Sequence, residues 1–175
     1  DLVRADAAAV PGADAHVELL EIATGRRTRL VGPSSPVFPI VFSPDGSAVA
    51  ACSDDNVLTL WDVASATERL SARGCLQRDI AFSTNGAQLA FAHTDFSINV
   101  FDTANGNATI LRGHGAIVQT MEFHPAKNVL LTGDERGIVR VWELQDTQVR
   151  VLRGHEDDMF SVVYSPDGTQ IATTS

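Results

Sequence analysis

Short apolar runs separated by turn-forming clusters fill the chain, and helical 3.6-residue periodicity is sustained nowhere. Residues 37–73 show the pattern best. Val37–Phe42 is apolar and aromatic, and Ser43-Pro44-Asp45-Gly46 then forms a turn. Ala48–Ser53 is a second apolar run, closed by Asp54-Asp55-Asn56. Residues 57–63 alternate around Leu58, Leu60 and Asp62, and Glu68–Arg73 is a more polar strand suited to an outer edge. Pro and Gly fall between the runs, where turns need them. Asp6-Ala7-Ala8-Ala9 has a composition that favours helix, but its place in the pattern makes it a strand.

The pattern repeats. Val41-Phe42-Ser43-Pro44-Asp45-Gly46 returns as Val163-Tyr164-Ser165-Pro166-Asp167-Gly168, with Ala81-Phe82-Ser83-Thr84-Asn85-Gly86 and Glu122-Phe123-His124-Pro125 between them. The aromatic positions 42, 82, 123 and 164 set a period of about 41 residues. Trp61-Asp62, Phe101-Asp102 and Trp142-Glu143 run in step, with Leu20-Glu21 one period earlier. So do Gly32-Pro33, Gly74-Cys75, Gly113-His114 and Gly154-His155. A four-stranded unit of this length cannot bury both of its faces alone, and stacking such units radially is the β-propeller solution.

Composition narrows the function. The 175 residues are 44% hydrophobic and 20% charged, which excludes a disordered tail and allows one ordinary core. Net charge is −9 and Lys/Arg form no cluster, so a nucleic-acid footprint is not expected. No apolar run approaches the roughly 20 residues of a membrane helix. Cys52 and Cys75 lack CxxC spacing. Their small number points to a reduced, cytoplasmic setting, with a single disulfide left open. Cys52 reads as a small core residue, whereas Cys75 stands in a loop position expected to be more exposed. Arg outnumbers Lys twelve to one and Ala occurs 22 times, a bias that fits a bacterial coding sequence.

The Gly-His, Ser-Pro-Asp-Gly and Trp-Asp markers at this spacing resemble the WD40-repeat family, along the whole chain. The resemblance implies an all-β propeller of four-stranded antiparallel blades, with about four repeats present. The register gives blades at 32–73, 74–112 and 113–153, flanked by incomplete ones at 1–31 and 154–175. A seven-bladed ring needs roughly 290 residues, so the remainder is expected outside this chain. Closure into four blades, with Met159–Tyr164 joining the N-terminal sheet, is the lesser alternative. Open edges would leave the isolated chain poorly soluble or oligomeric.

The family's blades carry a hydrogen-bonded tetrad of Gly-His histidine, second-strand Ser or Thr, turn Asp, and Trp. By resemblance its members here are Ser53, Asp55 and Trp61 in the second blade, with Pro33 in place of His. The third blade has Asp95, with Cys75, His93 and Phe101 at the other places. The fourth has His114, Thr132 and Trp142, with Arg136 read at the Asp position. The fifth has His155 with Thr173 or Ser175. On this reading no blade has all four. Ser, His and Asp together invite a catalytic-triad reading, but groups that recur blade by blade are explained by structure.

No HExxH, phosphate loop or metal-spaced His/Cys cluster is present, and no cofactor or catalytic residue is assigned. Glu156-Asp157-Asp158 reads as a solvated loop, not as a cation site. What remains is a surface. The resemblance puts the loops of one rim in contact with protein or peptide partners. The candidates are Asp54, Thr94 and Glu135 from turns, and Phe38, Arg78, Gln119 and Phe160 near the starts of first strands. For Phe38 and Phe160, packing between blades is the competing role. The acidic rim residues Asp54, Asp55, Asp134, Glu135, Glu156, Asp157 and Asp158 favour a basic partner. The leading function is a non-catalytic interaction scaffold or sensory module within a larger signalling protein. A propeller enzyme, or a periplasmic propeller that binds a ligand in a central channel, is the alternative.

Overall fold

A computed structural model of the chain describes residues 7–11, 16–32, 35–146 and 148–175. The described residues contain strands and turns and no α-helix. They divide into two compact units, Asp1–Ile80 and Ala81–Ser175.

The first unit opens with a three-stranded antiparallel sheet of β1 (Ala7–Pro11), β2 (Val17–Glu21) and β3 (Arg27–Leu30). The Ala-rich stretch is therefore a strand, as its place in the period requires. A four-stranded sheet follows: β4 (Val37–Phe42), β5 (Ala48–Ser53), β6 (Val57–Asp62) and β7 (Glu68–Arg73), paired in chain order. Burial falls from the middle strands outward. All of β5 is buried, and so is the centre of β6, whereas β7 alternates between exposed and half-buried. Strands covered on both faces read as continuous apolar runs, and the polar edge strand faces water. Val17, Leu19 and Leu30 of the first sheet share a core with Val37, Val49, Ala51 and Trp61 of the second.

The start of β8 (Cys75–Phe82) also lies in this unit. Cys75 is fully buried and bonded to Cys52 of β5, with Cα atoms 6.0 Å apart. The expectation of an exposed Cys75 is corrected. Gly74, at φ 89°, turns the chain early, and both Gly74 and Cys75 donate their N–H groups to Asn56 O. Cys75 is thus already the first residue of a strand and faces inward.

In the second unit, β9 (Gln88–His93) pairs with β10 (Ile98–Asp102), and β10 with β11 (Ala108–Leu111). Another four-stranded sheet contains β12 (Val118–Phe123), β13 (Val129–Asp134), β14 (Val139–Glu143) and β15 (Gln148–Leu152). The last sheet has two strands, β16 (Ser161–Tyr164) and β17 (Ile171–Thr174). Leu131 and Val139 pack with Met159 and Val162 across these last two sheets.

The Ser-Pro-Asp-Gly turn is built by its side chains. Ser43 Oγ donates to Asp45 at 2.6 Å and accepts the Ala48 N–H at 2.9 Å, and Asp45 accepts the Ser47 N–H at 3.0 Å. Ser83/Asn85 and Ser165/Asp167 repeat this arrangement. These bonds hold the Asp167 carboxyl down at about 2. In the fourth repeat His124 replaces the serine, and its Nδ1 accepts the N–H groups of Ala126 and Lys127, each at 3.0 Å. Its Nε2–H then donates to Gly168 O at 3.2 Å, which joins this turn to the equivalent turn of the next repeat.

That contact makes Gly168 irreplaceable for two reasons. Its φ is 68°, and a Cβ there would meet the His124 ring at 2.4 Å. Gly106 has a similar φ of 74° but open space around it. Gly106→Ala should therefore cost only the left-handed backbone penalty of about 1–2 kcal/mol. Gly168→Ala should cost clearly more, read as a larger fall in the midpoint of urea unfolding. Equal losses would mean that the His124 contact does not form.

Candidate functional site

Among the described residues, only the fourth repeat builds a complete relay. Trp142 on β14 donates its indole N–H to Thr132 Oγ1 at 2.8 Å. Thr132 on β13 lies 2.8 Å from His114 Nε2, and His114 Nδ1 lies 2.7 Å from Asp134 Oδ2. One assignment satisfies every group: the indole donates to the hydroxyl, the hydroxyl to Nε2, and Nδ1–H to the carboxylate. All four residues are buried. Asp134 Oδ1 also accepts the N–H groups of Arg136 and Ile138, closing the turn. The acid is thus Asp134, two residues after Thr132, and Arg136 is exposed. Asp134 also leaves the set of exposed rim carboxylates, since it is buried against His114. The spacing was visible in the second repeat, where Asp55 follows Ser53 by two.

The other repeats satisfy the same positions differently. In the second, Ser53 Oγ donates to Asp55, which Ser35 Oγ also reaches at 2.9 Å. These hydroxyls lower the Asp55 pKa. The Trp61 indole does not join them and donates to Val31 O at 2.7 Å. Pro33, read at the histidine position, lies outside the described residues. In the third, His93 lies 2.8 Å from Asp95, and Ser97 Oγ also donates to that carboxylate. Arg112 reaches its other oxygen at 3.1 Å. Hydrogen bonds from Ser97, with that of Arg112, hold Asp95 far below the usual carboxylate range. Phe101 stacks on Phe91 at 5.6 Å, so no indole is present to be satisfied. In the fifth, His155 Nε2 lies 2.8 Å from Thr173 Oγ1 and Nδ1 lies 2.7 Å from Ser175 Oγ. Both of the residues between which the sequence left a choice are engaged.

Of the surface candidates, the first unit holds Phe38, Asp54 and Arg78, all exposed. Asp54 N–H donates to Pro36 O, which places this turn beside the start of β4. The β4–β5 register shifts between Val37 and Ile40, and an irregularity there turns Phe38 outward. In the second unit Thr94 and Phe160 are exposed, and half-buried Gln119 donates to half-buried Glu135 at 2.8 Å. A matching shift between Val118 and Thr120 surrounds Gln119. Phe38 is 64% and Phe160 75% exposed, so neither packs between sheets. Phe96, exposed at φ 67°, joins them without a signal in the repeat. Among the described residues no group of three His, Cys, Asp or Glu is placed to hold a metal ion. Among the same described residues no helix is long and apolar enough to cross a membrane.

Comparison with known proteins bears on this arrangement. The family model for the WD domain, G-beta repeat, matches residues 26–62, 107–143 and 146–175. Human apoptotic protease-activating factor 1 is 29% identical over 152 residues, covering 77% of this chain and 12% of that protein. Human coronin-7 is 45% identical over 67 residues, 37% of this chain and 7% of its own length. Transcription initiation factor TFIID subunit 5 of Caenorhabditis elegans is 26% identical over 148 residues, 83% of this chain and 23% of its own. The chain therefore spans less than a quarter of each of these relatives. The solved structure of U3-55K superposes with a TM-score of 0.68 at 20% identity, over 76% of this chain and 44% of that one. The sheets are thus blades of β-propeller type.

Burial pushes the His114 pKa below its ordinary 6.5, with Arg140 adding to the effect and Asp134 opposing it. Neutral His114 is the form that accepts from Thr132. Its stabilisation is fully present above the unfolded value of 6.5 and is lost as pH falls toward the lower folded value. Urea unfolding at pH 7.5 and 5.5 should show a smaller acid loss in His114→Leu than in the wild type. A second expectation concerns the relay itself. Thr132→Val leaves the Trp142 N–H without its acceptor and should cost about 1–3 kcal/mol. Thr132→Ser should recover most of that loss.

Proposed function

The chain belongs to the WD40-repeat family, and we propose that it is a non-catalytic protein-interaction module within a larger regulatory protein. The exposure of Phe38 and Phe160 carries this reading. They occupy equivalent places, four residues before Phe42 and Tyr164, where the other repeats carry the polar Arg78 and Gln119. Phe38 lies on β4 and Phe160 immediately before β16, and large aromatics exposed to water are typical binding anchors. The remaining candidates would confer direction: Asp54 and Arg78 in the first unit, and Thr94, Gln119 and Glu135 in the second.

The charge favours a basic peptide segment as partner. Asp54, Glu156, Asp157 and Asp158 are exposed and the chain carries −9 overall. Such a field raises the on-rate of a cationic segment and weakens with salt. It disfavours nucleic acid.

Selection of random displayed peptides on the immobilised chain tests the proposal. Enriched peptides should be rich in Arg or Lys and should bind less tightly as salt rises. Phe38→Ala or Phe160→Ala should weaken them at least tenfold while thermal melting stays unchanged, because neither ring is part of a core. Binding that survives both substitutions would place the surface elsewhere.

A further inference from the structure

Among the described residues, the non-glycine residues with a positive φ are Asn56, Ala66 and Phe96. Asn can bond its own backbone in that region and Ala is small, but a bulky aromatic there is a true outlier. Phe96 stands in the turn between the second and third strands of its repeat. Asn56, at φ 63°, and Gly137, at φ 70°, hold the same place in the second and fourth repeats, and Phe96 has φ 67°. All three turns close alike. The N–H groups of Asn56, Phe96 and Gly137 donate to Ser53 O, His93 O and Asp134 O at 2.9, 3.0 and 3.1 Å. The turn therefore imposes the left-handed backbone on whichever residue occupies it.

The turn around Phe96 is held from several sides. Ser97 donates both its N–H and its hydroxyl to Asp95, and its carbonyl accepts the His93 N–H at 2.8 Å. Arg112 takes the other carboxylate oxygen of Asp95 at 3.1 Å. In the fourth repeat this place is closed to any side chain, because a Cβ on Gly137 would lie 2.5 Å from His155 O. The third repeat has room for a full ring. That ring is 40% exposed, and among the described residues it pairs with no other aromatic ring. A residue that strains its backbone and leaves much of its ring in water is poorly explained by stability. Strain kept by a turn this firmly held is a mark of function.

The groups beside the ring select what meets it. Both oxygens of Asp95 are engaged, by Ser97 and by Arg112, and Thr94 is neutral. A cation arriving here finds no free carboxylate on this turn. We propose that Phe96 is a specificity-determining contact of the second unit, held out by its turn to seat an aliphatic side chain of the partner peptide. This rests on the peptide-binding reading above and adds to it. Basic residues of the segment favour its approach, and Phe96 selects one Leu-like side chain within it.

The probes are the displayed random peptides enriched on the wild-type chain. They should share an aliphatic residue alongside Arg or Lys. Phe96→Gly should weaken them at least tenfold while the chain melts at or above the wild-type temperature, because glycine relieves the backbone. Phe96→Leu keeps an apolar side chain and should retain most of the affinity. Replacing the shared aliphatic residue by Ala should weaken binding to the wild type and leave binding to Phe96→Gly unchanged. Equal binding of the peptides to wild type and Phe96→Gly would overturn this inference alone. A lower melting temperature in both Phe96→Gly and Phe96→Asn would make the ring a structural residue, and would overturn it too. Failure of any peptide to be enriched would overturn the peptide-binding reading, and this inference with it.

Discussion

The structure depends on one constraint: the central strands of each sheet are apolar on both faces, and one sheet can cover neither face by itself. β5 and most of β13 are buried along their length, as is the middle of β9. Every other feature follows from meeting that demand. The outer strands can be polar because they face water, as β7 does, and even the apolar residues of β15 stay exposed. The turns must be short and self-sufficient, because little else reaches them. Ser43 and Asp45, or Ser165 and Asp167, therefore satisfy the turn with their own side chains.

Burying a sheet on both faces also buries whatever polar groups it carries, and each must then find a partner. The second to fifth repeats answer that requirement in different ways. Trp142 finds Thr132, His114 and Asp134 in series. Trp61 finds the Val31 carbonyl. Phe101 carries no N–H and needs only the face of Phe91. His155 and Thr173 pair with each other. A complete tetrad is therefore not what holds a blade together. The apolar faces do that, and the polar groups need only be satisfied by some local route.

This explains what the sequence made legible. The four strands of the second repeat were readable to within a residue, because burial on both faces writes continuous apolar runs and turns write Pro, Gly and Asp. Even Ala7–Pro11 could be placed by register against its composition. The relay was only partly legible. The residue types were present, but Asp134 was passed over for Arg136, because a carboxylate in a turn looks the same in sequence whether it faces solvent or a buried imidazole. The partner of Trp61 is a backbone carbonyl, which no side-chain pattern reports. The Cys52–Cys75 bond needed the turn at Gly74 to be known, and two isolated cysteines do not encode it.

Binding and stability are written on different residues of the same strands. In β12, Val118 and Thr120 point into the core while Gln119, between them, meets Glu135 near the surface. In β4, Val37 is buried and Phe38 beside it stands in water. The pleat alternates sides at every residue, and the irregularity at this point in both strands widens the separation. The residue at this position can therefore change from Phe38 to half-buried Gln119 to Phe160 between repeats without altering the side chains that bury the sheet. A scaffold of this kind tolerates a new binding surface in each repeat, provided that the apolar run next to it is kept. That freedom is what a protein-interaction module requires, and it follows from the burial constraint and not from any single conserved site.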